Sequence, residues 1–430
     1  YFMQITGIIT EYNPFHYGHQ YQIKKIRQRQ PDSPIIAVMS GSFTQRGDAA
    51  LLSKWDRADL AIQGGCDLVL ELPFAFACRS AQDFARGGVR LLERLGIVNT
   101  LAFGAETADL TALQNCAAAM DEPSLQAELH DAIAAGASYA AALTACTAAR
   151  TAVDTAILRQ PNNILAIEYL RCLRHSPLQP LLIPRQGASY HDAHLDAPNA
   201  SATAIRRALS LAASRCSGQP TARLTDQLTM VEQQALNKAA PAATIAALQT
   251  LTAADLPSIE RLWLPLRTVL LRTNLPTLRQ IHGINEGLEH RILDQSILAN
   301  SYAGLIRAVT TKRYPASRIA RTLLYLLLSM PSTDISLFDK SGPLYARVLA
   351  AGPVGRTLLR QIKTCGSIPI ITKTSTCLTT SKRREGINSL APRERMLAYD
   401  TLATELRQLC QTSSDQNNDF QRSPIFHHQQ

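Results

Sequence analysis

The sequence predicts an α/β fold in which a parallel sheet, covered by helices on both faces, is followed by a mainly α-helical, basic domain. Over the first hundred residues, short apolar and β-branched runs alternate with helix-length amphipathic segments. This alternation is typical of repeated strand–helix–strand units, and nearly continuous apolar strands indicate a sheet that is buried on both faces. From about residue 211 the strand-like runs give way to longer amphipathic segments, which predicts helices.

The first domain is expected over residues 3–210, with five strands that are short apolar runs. They are residues 4–10, 34–40, 67–72, 98–103 and 179–184. Helices are expected at residues 18–29, 53–64, 79–95, 162–174 and 201–209. The helix at 53–64 has a start signal, because Ser53 can cap it and Asp56 follows three residues later. An Ala-rich helical excursion from the sheet is expected at about 107–150.

The second domain is expected over residues 211–410. Amphipathic helices fill residues 226–330, and prolines at positions 241, 257, 265, 276 and 315 separate them. Residues 366–380 favour a β conformation, and residues 390–410 return to helix. The polar segment 411–430 is predicted to be a disordered tail.

Charge is distributed unevenly between the two halves. Residues 1–210 carry a net charge of −1, whereas residues 211–430 carry +11. A neutral half beside a basic half indicates that one part performs chemistry and the other holds a polyanion such as nucleic acid. The alternative is that the basic residues serve only solubility.

Cysteine usage and hydropathy indicate the compartment. The nine cysteines are scattered and none has CxxC spacing, which favours a reducing environment over a disulfide framework or a structural zinc site. No run of 18 apolar residues occurs, and the start of the chain lacks the basic and apolar regions of a secretory signal. We therefore expect a cytoplasmic protein without a membrane span.

The stretch EYNPFHYGHQYQIKKI, residues 11–26, places two histidines where the first strand meets the first helix. Ligands of open α/β sheets bind at the carboxyl ends of the strands, and a helix N-terminus there attracts phosphate. His16 and His19 can donate hydrogen bonds to phosphate oxygens as charge builds at phosphorus, and Gly18 would let the backbone approach a ligand closely. The alternative is a pair of solvated loop histidines.

A second helix start follows the fifth strand, in the stretch SATAIR of residues 201–206. Hydroxyls at Ser201 and Thr203 together with Arg206 would bind the outer phosphates of a nucleoside triphosphate. Taken alone, the same stretch is an ordinary helix cap.

These two stretches together resemble the HxGH nucleotidyltransferase superfamily, which has a Rossmann-like catalytic domain. Longer stretches are similar to the bacterial tRNA(Met) cytidine acetate ligase family over roughly residues 3–400. They are EYNPFHYGHQYQI, AVMSGSFTQRGDAALLSKWDRADLAIQGGCDLVLELPFAFA, FGAE, PNNILAIEYLR, SATAIR, GINEGLEHRI and TKRYPASRIARTLL.

The resemblance implies a two-step ligase. Acetate attacks the α-phosphate of ATP to give acetyl-adenylate and pyrophosphate, and N4 of the wobble cytidine, position 34 of elongator tRNA(Met), then takes the acetyl group with release of AMP. Acetyl-CoA is not used. Mg²⁺ is expected with ATP, although no set of protein ligands can be read from the sequence.

The resemblance also implies site residues, with His16 and His19 in the catalytic role. The ATP-binding positions that it implies are Ile9, Glu11, Asn13, Pro14, Phe15, His16, Gly18, His19, Gly104, Asn162, Arg185, Ser201, Thr203 and Arg206. Asn163 could replace Asn162, and Asn162 could simply cap the helix after Pro161. Arg185 could equally be an ordinary exposed arginine.

Two further groups of polar residues lie near the expected ligand side of the sheet. Ser40, Gln45 and Arg46 follow the second strand and could contact acetate or the cytidine, or only shape the loop. Asp67 and Glu71, on or beside the third strand, are interpreted as structural partners of arginines rather than as catalytic groups.

Two basic patches in the second half are candidates for tRNA binding. The first patch consists of Arg307, Lys312, Arg313, Arg318 and Arg321, with Tyr314 interleaved as a possible stacking partner for a base. The second patch consists of Lys382, Arg383 and Arg384. The alternative for both is a solvated helix face.

Two other functions are compatible with parts of the pattern. A small-molecule adenylyltransferase would share the HxGH site but would leave the basic half unexplained. A non-catalytic tRNA-binding protein with a relict nucleotide site would not need both histidines, Arg206 and the Asn/Arg pair together.

Overall fold

The computed structural model describes residues 4–137, 139–185, 201–216, 218–413 and 418–428. It is an α/β structure with a central, mainly parallel sheet, as the sequence predicts. None of the helices in these ranges is long and apolar enough to cross a membrane.

Five parallel strands form the larger part of the sheet. They are β1 (Thr6–Thr10), β2 (Ile35–Ser40), β3 (Leu68–Leu72), β4 (Thr100–Ala105) and β5 (Gln179–Pro184). The order is β5-β4-β1-β2-β3, so that β1 lies between β2 and β4. The direction of strand succession reverses beside β1, and this switch point is where a parallel α/β sheet opens a crevice for ligands.

Helices cover both faces of this sheet. Those that connect the strands are α1 (Tyr17–Arg29), α2 (Lys54–Gln63), α3 (Phe74–Ala77) and α4 (Ala81–Arg94). The Ala-rich segment forms α5 (Leu110–Met120), α6 (Pro123–Ala134) and α7 (Tyr139–Thr151), followed by α8 (Pro161–Leu173) and α9 (Ala202–Arg215). The predicted cap of α2 is confirmed, since the Ser53 side chain accepts a hydrogen bond from the backbone N–H of Asp56.

Alternate strand residues pack into two separate cores, one on each face. Val38 and Leu70 belong to the core that includes α4 and α8, whereas Ala37 and Val69 belong to the core that includes α1 and α2. Because both sets are buried, the strands have the continuous apolar character that predicted a parallel sheet.

The second half is mostly helical. Its helices are α10 (Met230–Ala239), α11 (Ala242–Gln249), α12 (Trp263–Arg272), α13 (Leu275–Gln280), α14 (Leu288–Leu298), α15 (Tyr302–Val309), α16 (Ala316–Leu327), α17 (Ser332–Ser341), α18 (Pro353–Cys365), α19 (Thr380–Arg384) and α20 (Pro392–Leu409).

The second half also returns to the sheet, which the sequence analysis did not anticipate. Strand β6 (Ala346–Ala351) pairs antiparallel with β3, and β7 (Ile370–Ile371) and β8 (Ile425–Phe426) pair parallel with β6. Only β7 lies in a segment that was expected to favour a β conformation. Strand β6 was not predicted because it contains Arg347, and an arginine within an apolar run is not typical of a buried strand.

The C-terminal segment differs from the expectation of a disordered tail over residues 418–428. Asp419 is buried and contacts Lys54 Nζ and Arg347 Nη1, each at 2.5 Å. Composition predicted disorder because few residues here are apolar, but this aspartate balances two buried cations. Residues 414–417, 429 and 430 lie outside the described residues.

Candidate functional site

A cleft of about 500 Å³ opens at the carboxyl ends of β1 and β4, beside the switch point of the sheet. We call it the nucleotide cleft. Eleven of the predicted ATP-site residues line it: Ile9, Glu11, Asn13, His16, His19, Gly104, Asn162, Arg185, Ser201, Thr203 and Arg206. Residues that are 190 positions apart in the sequence therefore meet at one site.

The two histidine rings accept hydrogen bonds from backbone N–H groups at the start of helix α1. Nδ1 of His16 accepts a hydrogen bond from the backbone N–H of Gly18 at 3.0 Å, and Nδ1 of His19 accepts from the backbone N–H of His16 at 3.2 Å. An imidazole that accepts at Nδ1 carries its proton at Nε2 when it is neutral. Both rings therefore have an Nε2–H donor available for a ligand in the cleft.

Both histidines are held in the neutral form. Burial lowers the pKa of His16 to about 3, helped by the positive charges of Arg185 and Arg206. Burial also lowers the pKa of His19 well below its ordinary value, with contributions from His16 and Arg185. The ring centroids are only 3.8 Å apart, so two imidazolium ions would repel each other strongly.

Gly18 packs closely against the His16 ring. It does not line the cleft, and a Cβ at this position would lie 2.7 Å from Cε1 of His16. The His16 ring therefore leaves no room for a Cβ at this position.

Pro14 and Phe15, also predicted for the ATP site, are not among the residues that line the cleft. The Asn13–Pro14 peptide bond is cis, and the Phe15 ring is buried against Tyr12 and His19. Both residues shape the loop that carries the histidines.

The start of helix α9 closes the opposite side of the cleft. Ser201 caps the helix by accepting from the backbone N–H of Ala204, which is the cap role considered for it. Arg206 donates from Nη1 to the carbonyl oxygen of Asn13 at 2.6 Å and from Nη2 to Thr203 Oγ1 at 3.2 Å. These bonds hold the guanidinium against the histidine loop.

The structure distinguishes the two adjacent asparagines. Asn163 is fully buried, and its Oδ1 accepts from the backbone N–H groups of Glu106 and Thr107. Asn162 lines the cleft, and its side chain donates to Glu106. Glu106 was not predicted, although it is the last residue of the FGAE stretch.

Comparison with known proteins places this site in a family. The family model for HIGH Nucleotidyl Transferase matches residues 3–422. The tRNA(Met) cytidine acetate ligase of Syntrophomonas wolfei is 36% identical over 98% of this chain and 99% of its own length. That of Syntrophotalea carbinolica is 36% identical over 94% of this chain and 92% of its own length. The chain belongs to the tRNA(Met) cytidine acetate ligase family.

Solved structures agree with this assignment. The crystal structure of apo Thermotoga maritima TmcAL has a TM-score of 0.81 and 27% sequence identity, and the match covers 99% of this chain and all of that chain. The structure of the same protein bound with alpha-thio ATP has a TM-score of 0.79. The expected family and fold are confirmed.

The acidic residues of the third strand in this family member have structural roles, as predicted. Asp67 pairs with Arg27 at 2.6 Å. Glu71 is buried and contacts Lys54 at 2.8 Å and Arg347 at 3.1 Å. Neither carboxylate lines the nucleotide cleft.

Two of the three candidates at the end of β2 and in the loop after it line the cleft. Gln45 and Arg46 line the cleft, whereas Ser40 is buried and does not. The backbone N–H of Gln45 donates to Glu11 Oε1 at 2.6 Å. The buried side chain of Arg57 stabilises this loop, since it donates hydrogen bonds to the carbonyl oxygens of Glu11 and Gly41.

Helix α16 of the basic half also reaches the cleft, which sequence reasoning missed. Ser317 and Arg321 line it, and Nη1 of Arg321 donates to the Gln45 carbonyl oxygen at 3.2 Å. Arg321 was predicted to belong to the RNA-binding patch. Because it also lines the nucleotide cleft, the patch and the cleft are adjacent. Other lining residues that were not predicted are Thr10, Tyr12, Gln22, Ala81, Phe84, Phe103, Pro161, Ile164, Leu165, Tyr169 and Ala202.

The first basic patch is partly paired within the protein. Arg313 contacts Glu286 at 2.5 Å, and the Arg318 guanidinium lies 4.7 Å from the centroid of the Tyr314 ring. Tyr314 is itself buried, so its ring is not open to a base, contrary to the stacking suggestion. Arg307 and Lys312 are exposed.

The second patch is more strongly paired. Lys382 contacts Glu394 and Arg383 contacts Glu405, each at 2.7 Å, while Arg384 is exposed. Acidic residues distant in the sequence thus neutralise much of a run that looks purely basic.

The described residues contain no group of three or more histidine, cysteine, aspartate or glutamate side chains placed to hold a metal ion. Nothing in the described part of the site therefore forms a dedicated metal cage. Magnesium commonly binds through substrate phosphates and water, and this arrangement needs no such cage.

Proposed function

We propose that this chain activates acetate with ATP as acetyl-adenylate and transfers the acetyl group to N4 of the wobble cytidine of elongator tRNA(Met). The observation that carries the proposal is the pair of neutral histidines, which line the same cleft as Arg206 and have Nε2–H groups as donors. This cleft lies in a chain of the cytidine acetate ligase family.

The first step needs positioning and charge neutralisation more than covalent catalysis. Acetate is already an anion, so its oxygen can attack the α-phosphate without a base. The Nε2–H donors of His16 and His19 can stabilise the charge that develops at phosphorus, because they are fixed before the reaction. Arg206, Arg185 and the hydroxyl groups at the start of α9 would bind the pyrophosphate that leaves.

The wider proposal includes the partners and conditions that the sequence indicated. Mg²⁺ would be supplied with ATP and would neutralise phosphate charge, acetate is the acyl donor, and acetyl-CoA takes no part. The tRNA would bind across the basic half, with the cytidine entering the cleft beside α16. We place the reaction in the cytoplasm, and the nine cysteines without disulfide bonds support this location.

The test is incubation of the purified protein with ATP, radiolabelled acetate and unmodified elongator tRNA(Met), followed by nucleoside analysis. Label in N4-acetylcytidine is the expected result. Acetate-independent ATP–pyrophosphate exchange that responds to another acceptor would support a small-molecule adenylyltransferase instead. Binding of tRNA without any exchange would support a non-catalytic binding protein.

A further inference from the structure

The nucleotide cleft contains one acidic side chain among several cations. Of the described residues that line it, Glu11 is the only acid, whereas arginines line it at positions 46, 185, 206 and 321. A carboxylate beside the phosphates of a nucleotide opposes their binding by like-charge repulsion. Its position therefore suggests a chemical role other than holding phosphate.

Glu11 has one carboxylate oxygen held in place and the other available. The backbone N–H of Gln45 donates to Oε1 at 2.6 Å. Among the described residues no group donates a hydrogen bond to Oε2, and the side chain is partly exposed to the cleft. The bond to Gln45 thus orients the carboxylate and leaves Oε2 for a substrate.

The charges that face Glu11 come from several elements. Burial raises its pKa above the ordinary glutamate value, and Asp48 adds to this rise. The backbone of Gln45, Arg206 of α9 and Arg57 of α2 act in the opposite direction, but the net shift is upward. Among the described residues, Tyr169 and Cys78 also lie within range of its charge. A carboxylate in such surroundings is a better base than an exposed one.

The second half-reaction needs a proton acceptor, unlike the first. The lone pair of the cytidine N4 is delocalised into the ring, so the amine must lose a proton as the new C–N bond forms. His16 and His19 cannot take it, since their Nδ1 atoms already accept backbone N–H groups and their Nε2 atoms carry protons. Arginine has no acceptor atom. Within the described lining, Glu11 is the group that remains.

We propose that Glu11 is the general base of the acetyl-transfer step, an assignment that rests on the proposed function. N4 of the cytidine attacks the carbonyl carbon of acetyl-adenylate, and one N4 proton passes to Oε2 of Glu11. The bond from the carbonyl carbon to the adenylate oxygen breaks, and its electron pair leaves with AMP. Glu11 then releases the proton to water.

The test compares the two half-reactions in Glu11→Gln. This variant keeps an oxygen for the Gln45 N–H and removes the basic group. Transfer from preformed acetyl-adenylate to tRNA should fall at least about 100-fold more than acetate-dependent ATP–pyrophosphate exchange, which is the range expected for loss of a general base. The wild-type transfer rate should rise with pH as Glu11 ionises and then level off, and the variant should lack this rise.

Two further variants keep the test decisive. Glu11→Asp retains a carboxylate on a side chain that is one methylene shorter. This variant should show an intermediate transfer rate that still rises with pH. Asp48→Asn changes an exposed acid that does not line the cleft, so it should retain transfer and shift the rise to lower pH.

Three outcomes would overturn the assignment. They are equal losses of both half-reactions in Glu11→Gln, an unchanged pH profile in that variant, and a loss of transfer in Asp48→Asn as large as in Glu11→Gln. Failure of the wild-type protein to acetylate tRNA would instead overturn the proposed function itself, so the two failures are distinguishable.

Discussion

Nδ2 of Asn162 donates a hydrogen bond to Oε1 of Glu106 at 2.6 Å. The same carboxylate accepts from the backbone N–H groups of Asn162 and Asn163, at 3.3 and 2.8 Å, and so caps the start of helix α8. The amide has an acceptor at Oδ1 and two N–H donors at Nδ2, and Glu106 takes one of these donors. Glu106 thereby orients the amide and leaves Oδ1 and the second N–H for a ligand in the nucleotide cleft.

This arrangement predicts different effects for the two asparagines. Asn162→Ala should weaken ATP binding by about tenfold, which corresponds to removal of one hydrogen bond of about 1–1.5 kcal/mol, and should leave stability nearly unchanged. Asn163→Ala should lower the free energy of unfolding by about 1–3 kcal/mol, since it leaves buried backbone groups without partners. Calorimetric ATP titration and urea unfolding of both variants measure these effects. The reverse pattern would show that Asn163 contacts the nucleotide.

The contact between Gly18 and the His16 ring predicts that Gly18→Ala impairs catalysis without unfolding the helix. Alanine favours a helix over glycine by up to about 1 kcal/mol, so α1 should not be destabilised. The new Cβ would lie 2.7 Å from Cε1 of His16 and must displace the ring. We expect ATP–pyrophosphate exchange to fall at least about tenfold, because the Nε2–H donor is moved from the phosphate position. Gln20→Ala on the same helix is the control, and wild-type exchange in Gly18→Ala would contradict the steric argument.

The lowered histidine pKa values predict that His16 and His19 do not titrate between pH 5 and 8. Long-range ¹H–¹⁵N correlation spectra of histidine-labelled protein should show both rings neutral, with the proton on Nε2. As pH falls below 6.5, the unfolded chain binds protons that the folded chain excludes, so these two residues should lower the free energy of unfolding. A midpoint near 6.5 for either ring would refute the neutral pair.

Most of the fold was predictable because its first part follows local rules. Alternating strands and helices, the Ser53 cap and the position of the histidine loop all depend on residues close together in the sequence. Strand β6 and the segment around Asp419 were missed for the opposite reason. Each contains a charge that is buried only because partners from distant segments neutralise it, and no local pattern shows that pairing.

The nucleotide cleft shows the same limit. The HxGH and SATAIR stretches correctly predicted two parts of the cleft lining, since a helix start after a strand is visible in the sequence. Ser317 and Arg321 reach the cleft through tertiary packing of α16, so sequence reasoning left Ser317 out and assigned Arg321 to the RNA surface alone. Tyr314 was wrongly suggested for stacking, because exposure of an aromatic ring cannot be read from neighbouring arginines.

The buried ion pairs of Asp419 predict a strong dependence of stability on the C-terminal segment. Asp419→Ala leaves Lys54 and Arg347 with too little negative charge, so the free energy of unfolding should fall by about 3–5 kcal/mol. Burial alone would raise the pKa of Asp419, but Arg347 and Lys54 hold it below the ordinary value. Its stabilisation is therefore present above pH 3.8 and is lost as the pH falls through the lower folded value.

Urea unfolding at several pH values measures this effect, and Asp294→Ala serves as the control, since Asp294 is an exposed acid on α14. The paired change Asp419→Leu with Arg347→Met should recover part of the stability, because it removes charges of both signs. Equal stability of Asp419→Ala and the wild-type protein would mean that the segment does not dock in solution.

The exposed members of the first basic patch predict which cations contact RNA. Arg307 and Lys312 are exposed, whereas Arg313 is paired with Glu286. Reversing Arg307 and Lys312 to glutamate should weaken tRNA binding and reduce the slope of log K against log salt by about 0.7–0.9 for each phosphate that the protein no longer neutralises. Filter binding over a salt series measures the slope. Lys238→Glu reverses one exposed lysine on α10 and should leave the slope unchanged. If the double reversal also leaves it unchanged, the tRNA must lie elsewhere on the basic half.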